Sequence, residues 1–234
     1  MEPIKSSSVT ILPETTPDPI SLIGRSAGVR ENGDTPVMNY ERGLSCIQSG
    51  HWRALEYVNV EFVLDGYSAR FIHEFYTHIG GAPTRLQSST MCIDYGEFGY
   101  VTPPSIKGDI RRETAYNAVM LAISDGYKKL QEMDVPKEDI ALILPLGMTT
   151  RVVVKTNVRM LIYMSRQSMY SRAYHDEHRR LFSDLATALS SVSDEWKKLV
   201  DMTFMPKWEV TGYCPEKNSC SRSRAEKQNR ETKK

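Results

Sequence analysis

A mixed α and β architecture (α/β, α+β), with long helices packed around a small mixed sheet, is the fold class this sequence predicts. Three observations carry it. Residues 113–133 keep apolar or small side chains at helical spacing, with Ala115, Val119, Ala122, Ile123, Gly126 and Leu130 along one face. Residues 57–64 and 151–156 are short and rich in β-branched or aromatic side chains, which suits strands. Neither a GxGxxG nor a P-loop motif occurs, so a doubly wound nucleotide-binding sheet is not indicated.

In chain order, residues 1–18 are rich in Pro, Ser and Thr and read as a mobile arm. Residues 19–49 hold two short helices. Asp34-Thr35-Pro36 is a start signal for the second, with Tyr40, Leu44 and Ile47 on one face. Gly50-His51 opens the first strand segment, and Asp65-Gly66 reads as a turn closing it. A helix carrying Phe71, Ile72, Phe75 and Tyr76 runs to His78 and stops at Gly80-Gly81. A polar loop with Thr84, Arg85, Gln87, Ser88, Ser89 and Thr90 follows. Residues 93–104 read as irregular structure or a short strand ending at Pro103-Pro104. After the 113–133 helix comes Pro136, an apolar run over 140–146 and the second strand. Asn157, a favourable cap residue, starts a helix with Val158, Leu161, Ile162 and Met164. One last long helix spans 174–199. The domain organisation expected is an arm (1–18), a single domain (19–213) and a basic tail (214–234).

Composition narrows the function. The chain has 234 residues, 40% hydrophobic and 25% charged, which fits a soluble globular protein. Its apolar runs are too short to cross a bilayer, and its first residues lack the basic start and apolar core of a secretory signal. A cytoplasmic protein with reduced thiols at Cys46, Cys92, Cys214 and Cys220 is the expectation. The net charge of +1 exerts no global pull on nucleic acid. The tail from Pro215, with seven Lys/Arg against three Glu, reads as a solvated end, a weak nucleic-acid contact being the alternative. His175, Asp176, Glu177 and His178 at a helix start lack a third ligand at fixed spacing, so no metal is expected.

The stretch 71–92 draws most attention. A helix, a glycine break and a hydroxyl-rich loop present backbone N–H groups and short donors to an anion, although a glycine pair after a helix also serves as a plain C-cap. Ser88 has no Gly-x-Ser-x-Gly elbow around it. Trp52 and Tyr57, near His51, suit either stacking on a flat ligand or core packing.

Several separated pieces together resemble one family, the flavin-dependent thymidylate synthases. They are Gly50-His51 with Glu56 before a strand; the helix ending at His78 and its serine loop; Val101-Thr102-Pro103-Pro104-Ser105; Leu144-Pro145-Leu146; Asn157-Val158-Arg159; and Arg172-Ala173-Tyr174. The resemblance implies that family's α/β fold, a homotetramer with flavin at subunit interfaces, and no membrane or specific nucleic-acid partner. It implies FAD as cofactor, NADPH and methylenetetrahydrofolate as co-substrates, and methylation at C5 of a uracil nucleotide. The residues implied for the cofactor are His51, Arg53, Glu56, Thr77, His78, Ile79, Asn157, Arg159 and Tyr163. Those implied for the nucleotide are Glu74, Thr77, Arg85, Leu86, Gln87, Ser88, Ser89, Thr90 and Ser168. His78 and Ser88 are the positions implied nearest the chemistry.

This chain departs from the family where the family binds its nucleotide. The family's Arg-His-Arg reads Thr77-His78-Ile79, and the later arginine of the serine loop reads Thr90, or Met91 with one residue of slippage. Two further family arginines fall on Ala141 and Ser168, and a glutamine falls on Glu74. Flavin-side positions are largely kept and phosphate-side arginines are lost, which implies retained flavin binding with altered nucleotide recognition. Arg85 and the Ser88–Thr90 hydroxyls remain as donors for a phosphate. The segment Thr77-His78-Ile79-Gly80-Gly81 with Leu86-Gln87-Ser88-Ser89 is similar to a divergent branch of the family. That branch comprises the uridylate C5-methylases of polyoxin-type nucleoside-antibiotic pathways, so UMP is the expected substrate and dUMP a possible one.

Overall fold

The structure is a computed structural model, and it describes residues 3, 6–30, 35–77, 84–168 and 176–213. In chain order it contains β1 (Ser8–Ile11), α1 (Pro19–Ala27), α2 (Pro36–Ser49), a 3-10 segment (Trp52–Tyr57), β2 (Asn59–Ser68), α3 (Ala69–Phe75) and β3 (Thr84–Gln87). There follow α4 (Ile110–Glu132), α5 (Lys137–Ile140), β4 (Thr149–Asn157), α6 (Val158–Ser168), α7 (Asp176–Ser190), α8 (Asp194–Thr203) and α9 (Lys207–Thr211). The strands join in one sheet of order β1-β2-β4-β3. The helix-rich architecture around a small sheet matches the fold class expected.

Several boundaries differ from the sequence expectation, each for a local reason. Part of the expected arm pairs as β1, and Leu12 N donates to Glu61 O at 2.9 Å. Asp65-Gly66 is not a turn but lies within β2; Gly66 takes φ 75, a conformation that costs glycine little. The polar run Thr84–Gln87 pairs as β3 instead of forming a loop. The expected 174–199 helix is two helices. Its break at 191–193 is held by Ser193, whose hydroxyl donates to Pro17 O at 2.7 Å and accepts from Trp196 N at 3.3 Å, starting α8 anew. The serine cap competes with helix continuation and wins.

The chain divides into two compact units, described separately. One comprises Met1–Thr10, Val63–Thr77 and Thr84–Val154. Its core gathers Tyr95, Phe98, Tyr100, Met120, Tyr127, Ile140 and Met148 against one face of α4. Asp109 caps α4 by accepting from Arg111 N at 3.0 Å and Arg112 N at 3.3 Å. The helix ends where Asp134 takes a left-handed turn (φ 58) ahead of Pro136. Ser68 caps α3 through Phe71 N at 3.0 Å, and Tyr67, Phe71 and Phe75 stack in series with centroids 5.0 and 6.0 Å apart. Burying side chains of this size contributes about 1.5–3 kcal/mol each.

The other unit comprises Ile11–Phe62, His78–Pro83 and Lys155–Lys234. Its core is built by Ile20, Ile23, Leu55, Leu161, Ile162, Leu181, Leu185 and Trp196, all fully buried. Helices α1 and α2 meet backbone to backbone through Gly24 and Gly43. Thr35 caps α2 and Pro36 sits in its first turn, as the sequence predicts; Gly50 in the left-handed region (φ 78) ends it. Trp196 Nε1 donates to Thr16 O at 2.6 Å, and the Ser21 hydroxyl binds the Glu195 carboxylate, so α8 ties to the chain around α1.

Candidate functional site

The residues implied for the cofactor fall, where described, in the second unit, apart from Thr77. His51, Arg53 and Glu56 lie on the chain that leaves α2 through Gly50 and enters the 3-10 segment. All three are exposed. The tight segment buries Ala54 and Leu55, which turns the polar positions outward. The segment packs on α6. Asn157 caps that helix, its Oδ1 accepting from Met160 N at 2.9 Å. The helix start is anchored further by Val158 N donating to Val58 O at 3.0 Å. In the first turn of α6, the Arg159 guanidinium forms an ion pair with Glu56, 103 positions earlier. Tyr163, one turn on, is half exposed. The structure therefore brings Glu56 and Arg159 into contact, puts His51 and Arg53 on the same short segment, and puts Tyr163 on the same helix.

Trp52 is half-buried and Tyr57 is 67% exposed, so Tyr57 is not a core residue. Trp52 Nε1 donates to Ile47 O at 3.4 Å, and the Arg166 guanidinium carbon lies 4.2 Å from the Trp52 ring centroid. The sequence reading did not single out Arg166, because a cation–π pair between segments so far apart has no local signature.

The residues implied for the nucleotide fall in the first unit, except Ser168. Glu74 pairs with Arg70 at 3.0 Å. The Thr77 hydroxyl donates to Glu74 O at 2.7 Å, so the last turn of α3 closes on itself ahead of the expected His78. Leu86 is 77% exposed. Gln87 Nε2 donates to Thr150 Oγ1 at 3.2 Å. Ser88 donates twice to Arg151 O, from N and from Oγ, each at 3.0 Å. Its hydroxyl proton is thus directed at a carbonyl, and its lone pairs remain as acceptors. Ser89 Oγ accepts from Met91 N at 3.2 Å, and Ser89 O accepts from Ile93 N at 3.1 Å, folding the loop into a turn with Thr90 half-buried. His78 and Ile79, the side chains of Thr84, Arg85 and Ser168, and the Arg172-Ala173-Tyr174 motif lie outside the described residues.

Behind the serine turn, Tyr95 is buried, and burial pushes its phenol above the ordinary range. The nearby Ser88 hydroxyl offsets part of that shift. Among the described residues the Tyr95 hydroxyl has no partner in hydrogen-bonding geometry. No cluster of His, Cys, Asp and Glu suited to a metal occurs among the described residues, and no described helix is long and apolar enough to cross a membrane. Of the free cysteines, Cys46 is buried and Cys92 exposed; Cys214 and Cys220 lie outside the described residues.

Comparison with known proteins places the chain in a family. Residues 26–193 match the family model described as Thy1, thymidylate synthase complementing protein. A flavin-dependent thymidylate synthase of Nitratidesulfovibrio vulgaris is 26% identical over 183 residues, covering 74% of this chain and 71% of that one. The enzyme of the same name from Clostridium tetani is 24% identical over 228 residues, covering 87% and 88%. Among solved structures, the flavin-dependent thymidylate synthase of Helicobacter pylori, complexed with FAD and dUMP, superposes with a TM-score of 0.63 at 16% identity. That match covers 85% of this chain and all of the other. The chain belongs to the thymidylate synthase complementing protein family.

Proposed function

We propose that this member of the thymidylate synthase complementing protein family is an FAD-dependent enzyme that methylates C5 of a uracil nucleotide, UMP preferred and dUMP accepted. Methylenetetrahydrofolate is the one-carbon donor and NADPH the reductant in this reading. The observation that carries it is the Glu56–Arg159 pair, which joins the two segments of flavin-side residues, with His51, Arg53 and Tyr163 exposed alongside. The same chain lacks arginine at 77, 90, 141 and 168, positions at which the resemblance implies nucleotide-side arginines.

The residues present fit a flavin dinucleotide, whose pyrophosphate is anionic and whose ring accepts hydrogen bonds. Arg53 and Arg159 are exposed cations, and Glu56 restrains the Arg159 fork, so less side-chain freedom is lost on binding. When bound, the flavin supplies the redox and one-carbon chemistry; the protein's task is placement. On the nucleotide side, the serine turn offers neutral acceptors and backbone donors where the family offers guanidinium groups. Thr77 removes bulk and charge relative to arginine and leaves a short hydroxyl. A site that pairs a ribose hydroxyl discriminates strongly, because the wrong sugar leaves buried polar groups unpaired. The resemblance to uridylate C5-methylases of nucleoside-antibiotic pathways supports UMP, and His78 is the residue expected to line the flavin. A homotetramer with flavin between subunits and a cytoplasmic location complete the proposal.

A second reading, an ordinary thymidylate synthase with unusual phosphate ligands, is favoured by the dUMP bound in the Helicobacter pylori structure. One assay separates the two. The purified protein is incubated with FAD, NADPH, methylenetetrahydrofolate and either UMP or dUMP, and the 5-methylated nucleotide is measured by mass spectrometry. Faster product from UMP supports the proposal, and strong preference for dUMP selects the second reading. Tight binding of FAD and UMP without product from either nucleotide selects a relative that has lost catalysis.

A further inference from the structure

Arg166 is the half-buried cation of α6 that no acidic side chain neutralises among the described residues. Its Nε is shielded from solvent and has no hydrogen-bond partner among the described residues. Burial disfavours its charged form. Its companion is the face of Trp52, with the guanidinium carbon 4.2 Å from the ring centroid, and that ring is steadied by its own bond to Ile47 O. A fully paired arginine would explain itself. A half-buried guanidinium with an aromatic face as its partner lacks, among the described residues, the counter-ion that normally offsets the cost.

Placement points to the missing counter-ion. Arg159, Tyr163 and Arg166 are spaced i, i+4, i+7 and so share one face of α6, with about 10 Å of rise between the two arginines. The facing 3-10 segment contributes one partner to each arginine, Glu56 to Arg159 and Trp52 to Arg166. The two cations thus close the ends of a strip with half-exposed Tyr163 between them.

We infer that Arg166, steadied on Trp52, is an anion-binding residue that takes a phosphate-ester group of a bound nucleotide. The inference deepens the function proposed above and rests on it for the two candidate sources, the pyrophosphate of a flavin dinucleotide and the monophosphate of a uracil nucleotide. The chemistry is the same for both: a planar, pre-oriented fork meeting phosphoryl oxygens.

The test compares wild type, Arg166→Gln and Arg166→Lys. Affinities are measured by calorimetry or flavin fluorescence for two matched pairs, FAD with riboflavin and UMP with uridine, and for inorganic pyrophosphate. Melting temperatures are recorded alongside. Arg166→Gln is expected to weaken one phosphorylated ligand by about 10- to 100-fold, leaving its unphosphorylated partner within about two-fold. Arg166→Lys is expected to recover part of the loss, and the melting temperature of Arg166→Gln is expected to hold or rise. The pair that responds names the source. Equal losses for both members of each pair, with a lowered melting temperature, would mean that Arg166 only packs, and the inference fails. It fails also if no phosphorylated ligand responds, or if wild type binds none of them. Methyl transfer is followed in parallel. Phosphate-selective loss in a protein that makes no product refutes the proposed function alone, and product formation with phosphate binding indifferent to Arg166 refutes this inference alone.

Discussion

Replacing Gly24 by alanine tests the packing that fixes the helix leading to His51. At the crossing of α1 and α2, a Cβ on Gly24 would sit 1.7 Å from Asn39 O and 2.8 Å from Gly43 N. Real Cβ contacts stop near 3.0 Å, so the helices must part by roughly 1.3 Å. Both obstacles are backbone, and no rotamer change relieves them. Such a gap forfeits a quarter to a half or more of the dispersion energy between facing atoms. Ile20, Ile23 and Ile47 lie buried on these two helices, so the cost sits at the upper end for an overpacked core, about 3 kcal/mol. For a chain of this size that is a fall of about 6–12 °C in melting temperature, followed by circular dichroism. Gly50→Ala is the control. Its added Cβ meets nothing within 4 Å, but φ is +78, so conformation alone costs about 1 kcal/mol and about 2–4 °C. A Gly24→Ala protein melting within about 2 °C of wild type would refute the close-crossing argument.

Other substitutions probe the site and its supports. Glu56→Gln removes an ion pair whose partners are 46% and 49% exposed, so stability should change by less than about 1 kcal/mol, while FAD affinity falls about ten-fold in a fluorescence titration. Ser88→Ala should raise KM for the nucleotide about ten-fold without changing FAD affinity, and a change in both would show a folding effect instead. The hydrogen bond from Lys155, then that from Asn59, holds the Glu61 carboxyl below its ordinary value. With the folded value below the unfolded one, about 4.3, this contribution is present above that pH and is lost as pH falls through the folded value. Melting temperature followed from pH 6 down to pH 2 should therefore drop less steeply in Glu61→Gln than in wild type.

What was legible in the sequence followed local rules. Helix α4 announced itself as a helix through its apolar spacing, but its buried face is Met120, Ser124 and Tyr127, while Val119 on the expected face is 57% exposed; Thr35-Pro36 marked the start of α2 and Asn157 that of α6, and both cap as expected. Strand β4 alternates buried Thr150, Val152, Val154 and Thr156 with outward positions, as its β-branched run suggests. What was illegible depends on distant partners. Thr84–Gln87 looks like a polar loop and is a strand because β4 is there to pair with it. Asp65-Gly66 has the composition of a turn, but its neighbours demand a continuing strand. The residues around 191–193 break a helix because Pro17 O receives the Ser193 hydroxyl. Arg166 meets Trp52 only once the 3-10 segment lies on α6.

The distances along the chain between partners also order events in time. The unit holding α4 is nearly contiguous, running from Val63 to Val154 apart from Met1–Thr10 and a short gap, so its core is fully synthesised when Val154 is. The other unit must wait. Its ties join Glu56 to Arg159 across 103 positions, Ser21 to Glu195 across 174 and Thr16 to Trp196 across 180. At about 5–20 residues per second, the ribosome takes roughly 2–8 s to travel from Val154 to Glu195. Throughout that interval the apolar face of α1, with Ile20 and Ile23, has no α8 to cover it. The segments that carry the residues proposed for the flavin meet only after Arg159 has emerged, so on that proposal cofactor capture is a late step.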